Sequence, residues 1–187
     1  MKTKKRLFWL ALLAWLFPFL PASSWAAVTV YFVPQNPMVN VGDTFAVDLM
    51  ADIPLADTTL GWGLDISFDP LILAMPGAPE IGPAWTPILA PDGDSLAGLG
   101  FPPVTGNNVL LATLNFQALN PGVTELLASS TFGDLTEGFP LLTGSFAQEN
   151  FIAGSVTVNA VPLPASLLLL GSGLAGLIGL KKRKTMV

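Results

Sequence analysis

Between residues 27 and 160, apolar positions recur at every second residue in short runs. The stretch 27–33 (AVTVYFV) is rich in β-branched and aromatic residues, which fit a pleated surface. In 44–52, Phe45, Val47 and Leu49 alternate with Ala46, Asp48 and Met50, the pattern of a half-buried strand. Residues 59–68 place Leu60, Trp62, Leu64, Ile66 and Phe68 on one face before the turn Asp69-Pro70. Residues 108–119 do the same with Leu110, Ala112, Leu114 and Phe116. The turn Pro121-Gly122, a strand over 123–128 and another over 151–158 complete the series. Neither an amphipathic helix nor an internal repeat interrupts it. Short strands divided by Gly, Pro, Asn and Asp predict an all-β sandwich. Residues 75–107 hold Pro76, Pro79, Pro83, Pro87, Pro91, Pro102 and Pro103, so a loop is predicted there rather than central strands.

The two ends follow another pattern. Residues 1–6 are basic, 7–20 almost wholly apolar, and Pro21 to Ser24 break the run. Ser24 and Ala26 put small residues three and one before Ala27, so signal peptidase cleavage is expected after Ala26. The competing reading is an uncleaved anchor, although 7–20 is short for a span of about 20 residues. At the other end, Pro162 and Pro164 stop the preceding strand, and 165–180 carries no charge. As a helix it is about 24 Å long, slightly under a hydrocarbon core of about 30 Å. Lys181, Lys182, Arg183 and Lys184 would hold that end in the cytoplasm and leave the body outside. The expected layout is a signal peptide at 1–26, a sandwich at 27–158 and a C-terminal unit at 159–187, comprising a Pro box at 161–164, a transmembrane helix at 165–180 and a basic tail at 181–184.

Charge sharpens this layout. Hydrophobic residues make up 51% of the chain and charged residues 11%. All eight Lys and Arg lie in the two end segments, and all thirteen acids lie between Asp43 and Glu149. A body without a cation repels phosphate backbones, which excludes nucleic acid as a partner. The absence of Cys and His excludes disulfides, Cys/His zinc sites and nucleophilic triads built on His. Carboxylates remain. A glycosidase needs two of them about 5–9.5 Å apart, which spacing along a chain does not reveal. Asp92 and Asp94, with Ser95, form an oxygen-rich loop that calcium would accept, with Asn107, Asn108 and Asp134 as further donors; an ordinary turn is the competing reading. Trp62 is in phase with Leu60 and Leu64 and is expected in the core. Trp85 lies among prolines, where it either stacks on a sugar ring or packs into the loop.

Two resemblances follow from these residues. Val161, Pro162 and Pro164, then Gly171-Ser172-Gly173-Leu174, then Lys181-Lys182-Arg183-Lys184, resemble the PEP-CTERM sorting signal. Leu163 stands where that family's consensus has Glu. The resemblance implies processing near the Pro box by an exosortase, a membrane-embedded cysteine transpeptidase. The product would pass through an inner-membrane intermediate to the cell surface or extracellular matrix. Over 27–158, the ordered set Val41-Gly42-Asp43, Phe45, Val47, Phe68-Asp69-Pro70, Leu114, Phe116, Ala118 and Pro121-Gly122 resembles the cohesin domain. That implies a nine-stranded jelly-roll sandwich related to carbohydrate-binding modules, and in cohesins a dockerin partner held on one sheet face. No dockerin-contacting residue transfers by motif. The expected function is an exported, non-enzymatic binding module that contacts protein or polysaccharide at the surface. The alternative is a carbohydrate-binding module for exopolysaccharide, and a glycan-active enzyme ranks last.

Overall fold

The computed structural model describes residues 27–88, 96–131, 134, 136–161 and 169–173. The alternating segments pair into layers. In the larger sheet, β1 (Val28–Val33) runs antiparallel to β3 (Thr44–Ile53), and β3 pairs along its length with β10 (Gly106–Ala118). Two short strands, β6 (Leu73–Ala74) and β7 (Glu80–Ile81), line the far side of β10, and β12 (Glu149–Phe151) adds parallel to β1. The second sheet runs β2 (Met38–Asn40), β13 (Gly154–Asn159), β11 (Gly122–Ser129) and β5 (Asp65–Ser67). A third ladder joins β4 (Thr59–Gly63), β9 (Ala97–Val104) and β8 (Thr86–Pro87). Only Leu64 separates β4 from β5, so one stretch of chain links the third sheet to the second.

One apolar core lies between the layers. Val28, Val30 and Phe32 of β1, Val47 and Leu49 of β3, Leu114 and Phe116 of β10, Leu126 of β11, and Val156 and Val158 of β13 are all buried in it. Each such side chain contributes about 1.5–3 kcal/mol on leaving water. The predicted face of β3 is correct: Val47 and Leu49 are buried, while Asp48 and Met50 are partly exposed.

Three sequence expectations are corrected. In β10 the register steps from Leu110–Met50 to Ala112–Leu49, so Leu111 is the extra residue of a bulge. Leu111 is therefore buried beside Ala112, whereas Leu110, expected inside, is only half-buried. The stretches 59–68 and 151–158, each expected as one strand, break at Leu64 and at 152–153 because their halves join different sheets. The proline-rich middle also contains strands. β9 pairs with both β4 and β8, and Pro102 and Pro103 fall where the register shifts between Leu99–Gly61 and Val104–Thr59. No ladder donor is needed from a proline there.

Among the described residues no helix is long and apolar enough to cross a membrane. Segment 1–26 lies outside the described residues, as does 165–180 except for one helical turn at 169–173.

Candidate functional site

A recess of about 540 Å³ opens where the chain leaves β11 and returns through β12, lined by Ser130, Thr131, Asp134, Glu137 and Glu149 among others. Its wall is a strip clipped to β4 by two backbone bonds, Gly63 N–H to the Gly138 carbonyl at 3.1 Å and Gly138 N–H to the Gly63 carbonyl at 2.7 Å. Gly63 is required for this approach, since a Cβ there would lie 2.1 Å from the Thr136 carbonyl oxygen. Glu137, 8% exposed, accepts a hydrogen bond from the Thr131 N–H. Glu149 accepts one from the Ser130 hydroxyl. Burial pushes the Glu149 carboxyl above its ordinary value; bonds from Ser130 and from the Phe139 N–H oppose the rise, and nearby Glu137 adds to it. Asp134 is exposed, and bonds from the Thr136 hydroxyl and N–H hold its carboxyl below the usual range. These carboxylates thus take donors from their own loop, an arrangement that fastens the loop to the sandwich. No sequence signal singled out Glu137 and Glu149, because the turn that brings them together has no residue pattern of its own.

The open face of the larger sheet carries a second polar group. Tyr31 Oη lies 2.8 Å from Asn108 Oδ1 and 3.3 Å from Asp52 Oδ1. Asp52 also accepts the Asn108 N–H at 2.7 Å, which holds Asn108 at a φ of 53°. Burial, with the adjacent Asp52 carboxylate, raises the Tyr31 hydroxyl above its ordinary value.

The residues picked out from the sequence fall differently. Trp85 is 5% exposed, donates its indole N–H to the Leu110 carbonyl at 2.9 Å, and meets Trp62 edge-on with ring centres 6.3 Å apart. It presents no free ring face to a sugar, which corrects the stacking expectation: the indole bond and the Gly82 N–H to the Leu111 carbonyl, 2.8 Å, hold this segment against β10. Trp62 is buried, as its phase required. Asp92 and Asp94 lie outside the described residues, and among those described no group of three or more acidic side chains is placed to hold a metal ion. Ala27 is half-buried, whereas Ser24 and Ala26 lie outside the described residues. Val161 is exposed two residues beyond the end of β13. Pro162, Leu163, Pro164, Lys181, Lys182, Arg183 and Lys184 also lie outside them.

Comparison with known proteins bears on both parts of the chain. Residues 160–184 match the PEP-CTERM protein-sorting motif. No curated protein matches the sequence. Among solved structures, the chain is similar to a type I cohesin–dockerin complex from Clostridium thermocellum, with 10% identity, a TM-score of 0.55, and coverage of 74% of this chain and 99% of that one. It is also similar to a non-cellulosomal cohesin from the archaeon Archaeoglobus fulgidus, with 12% identity, a TM-score of 0.54, and coverage of 72% and 92%. At such identities the likeness is one of fold. The chain is a cohesin-like all-β body that carries a PEP-CTERM sorting motif at residues 160–184.

Proposed function

We infer that the protein is exported and sorted to the bacterial surface or extracellular matrix, where the sandwich serves as a non-enzymatic binding module. The observation that carries this reading is the sorting motif, which begins at residue 160, directly after β13 ends the sandwich at Asn159. In this reading signal peptidase cuts after Ala26, the apolar segment 165–180 spans the inner membrane, and an exosortase acts at the Pro box. The cohesin-like fold of the body supports binding by analogy, and protein–protein contact is the reading preferred. The loop-fastening role of Glu137 and Glu149 supports a role without catalysis. Mass spectrometry of the mature protein tests the reading. It predicts an N-terminus at Ala27 and a C-terminus near 161–164; an intact chain retaining both ends would overturn it.

A polysaccharide ligand is the second reading. With Trp85 buried, it rests on Tyr31, Asp52 and Asn108, an aromatic ring beside polar groups on an open face. Retention on immobilised exopolysaccharide that Tyr31→Ala abolishes would establish it, and no retention would remove it.

A further inference from the structure

The chain leaves the sandwich at one end, and that end differs from the other. Beside the exit at Asn159 lie the turns 40–43, 69–72 and 118–122. Val41 N–H bonds the Asn159 carbonyl at 3.0 Å, Gly42 N–H the Ala118 carbonyl at 2.9 Å, and Leu119 N–H the Ile72 carbonyl at 2.8 Å. These turns and the exit expose Leu71 (72%), Leu119 (38%) and Val161 (59%). Their acids are Asp43 and Asp69, which accept the N–H groups of Asn40 and Leu71, each at 2.8 Å. At the opposite end, near the last residues of β3 and β11, stand Asp52, Asp57, Asp65, Asp134, Glu137 and Glu149. The body is thus polarised in charge, with two acids at the exit and six at the far end, while exposed apolar side chains occur at both ends, Leu55 and Phe146 among them at the far one.

The tether to the membrane segment is short. Six backbone steps separate Asn159 from Ala165, where the uncharged run begins, and they reach at most about 20 Å. The thirteen residues of β10 alone extend about 40 Å. A chain held at 165–180 therefore keeps its exit end close to the bilayer.

We propose that the rim formed by Leu71, Leu119 and Val161 is a membrane-contacting surface that seats the body on the lipid headgroups while the chain is anchored, with the acidic end pointing away. Interfacial contact grows with apolar area and weakens where acids face anionic lipid; the short tether brings the exit rim to the bilayer, and the scarcity of acids there favours it over the far end. The inference rests on the anchored intermediate of the proposed function and adds an orientation to it.

The natural chain has no cysteine, so single labels can be placed without background. Leu71→Cys and Leu119→Cys report the rim. Leu55→Cys, exposed at the far end, is the control. Each full-length variant is labelled with an environment-sensitive fluorophore and reconstituted into phosphatidylcholine–phosphatidylglycerol vesicles. The expected result is flotation with the vesicles, blue-shifted emission and loss of most iodide quenching at 71 and 119, and an aqueous signal at 55. Flotation with aqueous signals at 71 and 119 would overturn the seating while leaving the anchor intact. Failure to float would overturn both. Shielding at 71 and 119 in chains free of vesicles would mean that a second copy covers the rim, and would also overturn it.

Discussion

At the scale of single residues, the two tryptophans of the body separate packing from hydrogen bonding. Both are buried and in contact, but the Trp85 indole N–H has a carbonyl partner, whereas that of Trp62 has none among the described residues. Phe in place of either removes similar ring volume. Trp85→Phe also loses a bond worth about 1 kcal/mol and strands the Leu110 carbonyl, whereas Trp62→Phe removes a donor that was costly to bury. Trp85→Phe should therefore be the more destabilising by at least about 1 kcal/mol in urea unfolding. Equal losses would contradict the assigned partner. Glu149 offers a test in pH. Its carboxyl is raised in the folded state from an ordinary value of 4.5, so the folded chain binds that proton more tightly than the unfolded chain. Stability from this group then rises as pH falls from neutrality through the raised value toward 4.5, and is lost in the opposite direction. Glu149→Gln holds no titrating proton there, so its melting temperature should gain less than the natural protein's over the same acidification. Parallel melting curves would show that the carboxyl is not perturbed.

Among the strands, legibility depended on whether each obeyed period two without interruption. β3 did, and its inward face was readable because Val47 and Leu49 alternate with Asp48 and Met50 against one partner on each side. β10 did not. A bulge adds one residue without a compositional mark, and the run Val109-Leu110-Leu111-Ala112 offers leucine in either phase. The register makes a sharp prediction. Leu111→Ala should cost about 2–5 kcal/mol as a core truncation, whereas Leu110→Ala, at a half-buried position, should cost clearly less. Chemical denaturation of the two variants checks the order, and the reverse order would restore the unbulged register. The strands in the proline-rich middle were hidden for a related reason. Prolines argue against a ladder only where their N–H would be needed, and in β9 they occupy the register shift. The acidic recess was out of reach of sequence patterns altogether. Glu137 and Glu149 meet only because Gly63 admits a strip of backbone against β4, a long-range contact that residue spacing does not encode.

On the scale of the whole chain, charge separates the two ends from the body. Every Lys and Arg belongs to the end segments, and every acid belongs to the stretch between them. The C-terminal segment was the most legible part of the sequence, because sorting machinery reads short linear segments rather than a fold. The C-terminal motif at 160–184 is accordingly detectable in a chain whose body shares only 10–12% identity with similar cohesin structures. This division makes sorting separable from stability. β13 ends at Asn159, and among the described residues no strand of the sandwich extends past it. Deleting 161–187 should therefore leave the melting temperature of the body nearly unchanged while redirecting the protein from the cell surface to the soluble exported fraction. Neutral replacement of Lys181, Lys182, Arg183 and Lys184 should likewise change its location, since in the proposed function that basic cluster sets the orientation. Leu163→Glu, which restores the residue of the sorting consensus, should raise the processed fraction measured from the mature C-terminus by mass spectrometry. Unchanged surface delivery after the deletion would show that the address lies in the body rather than in the tail.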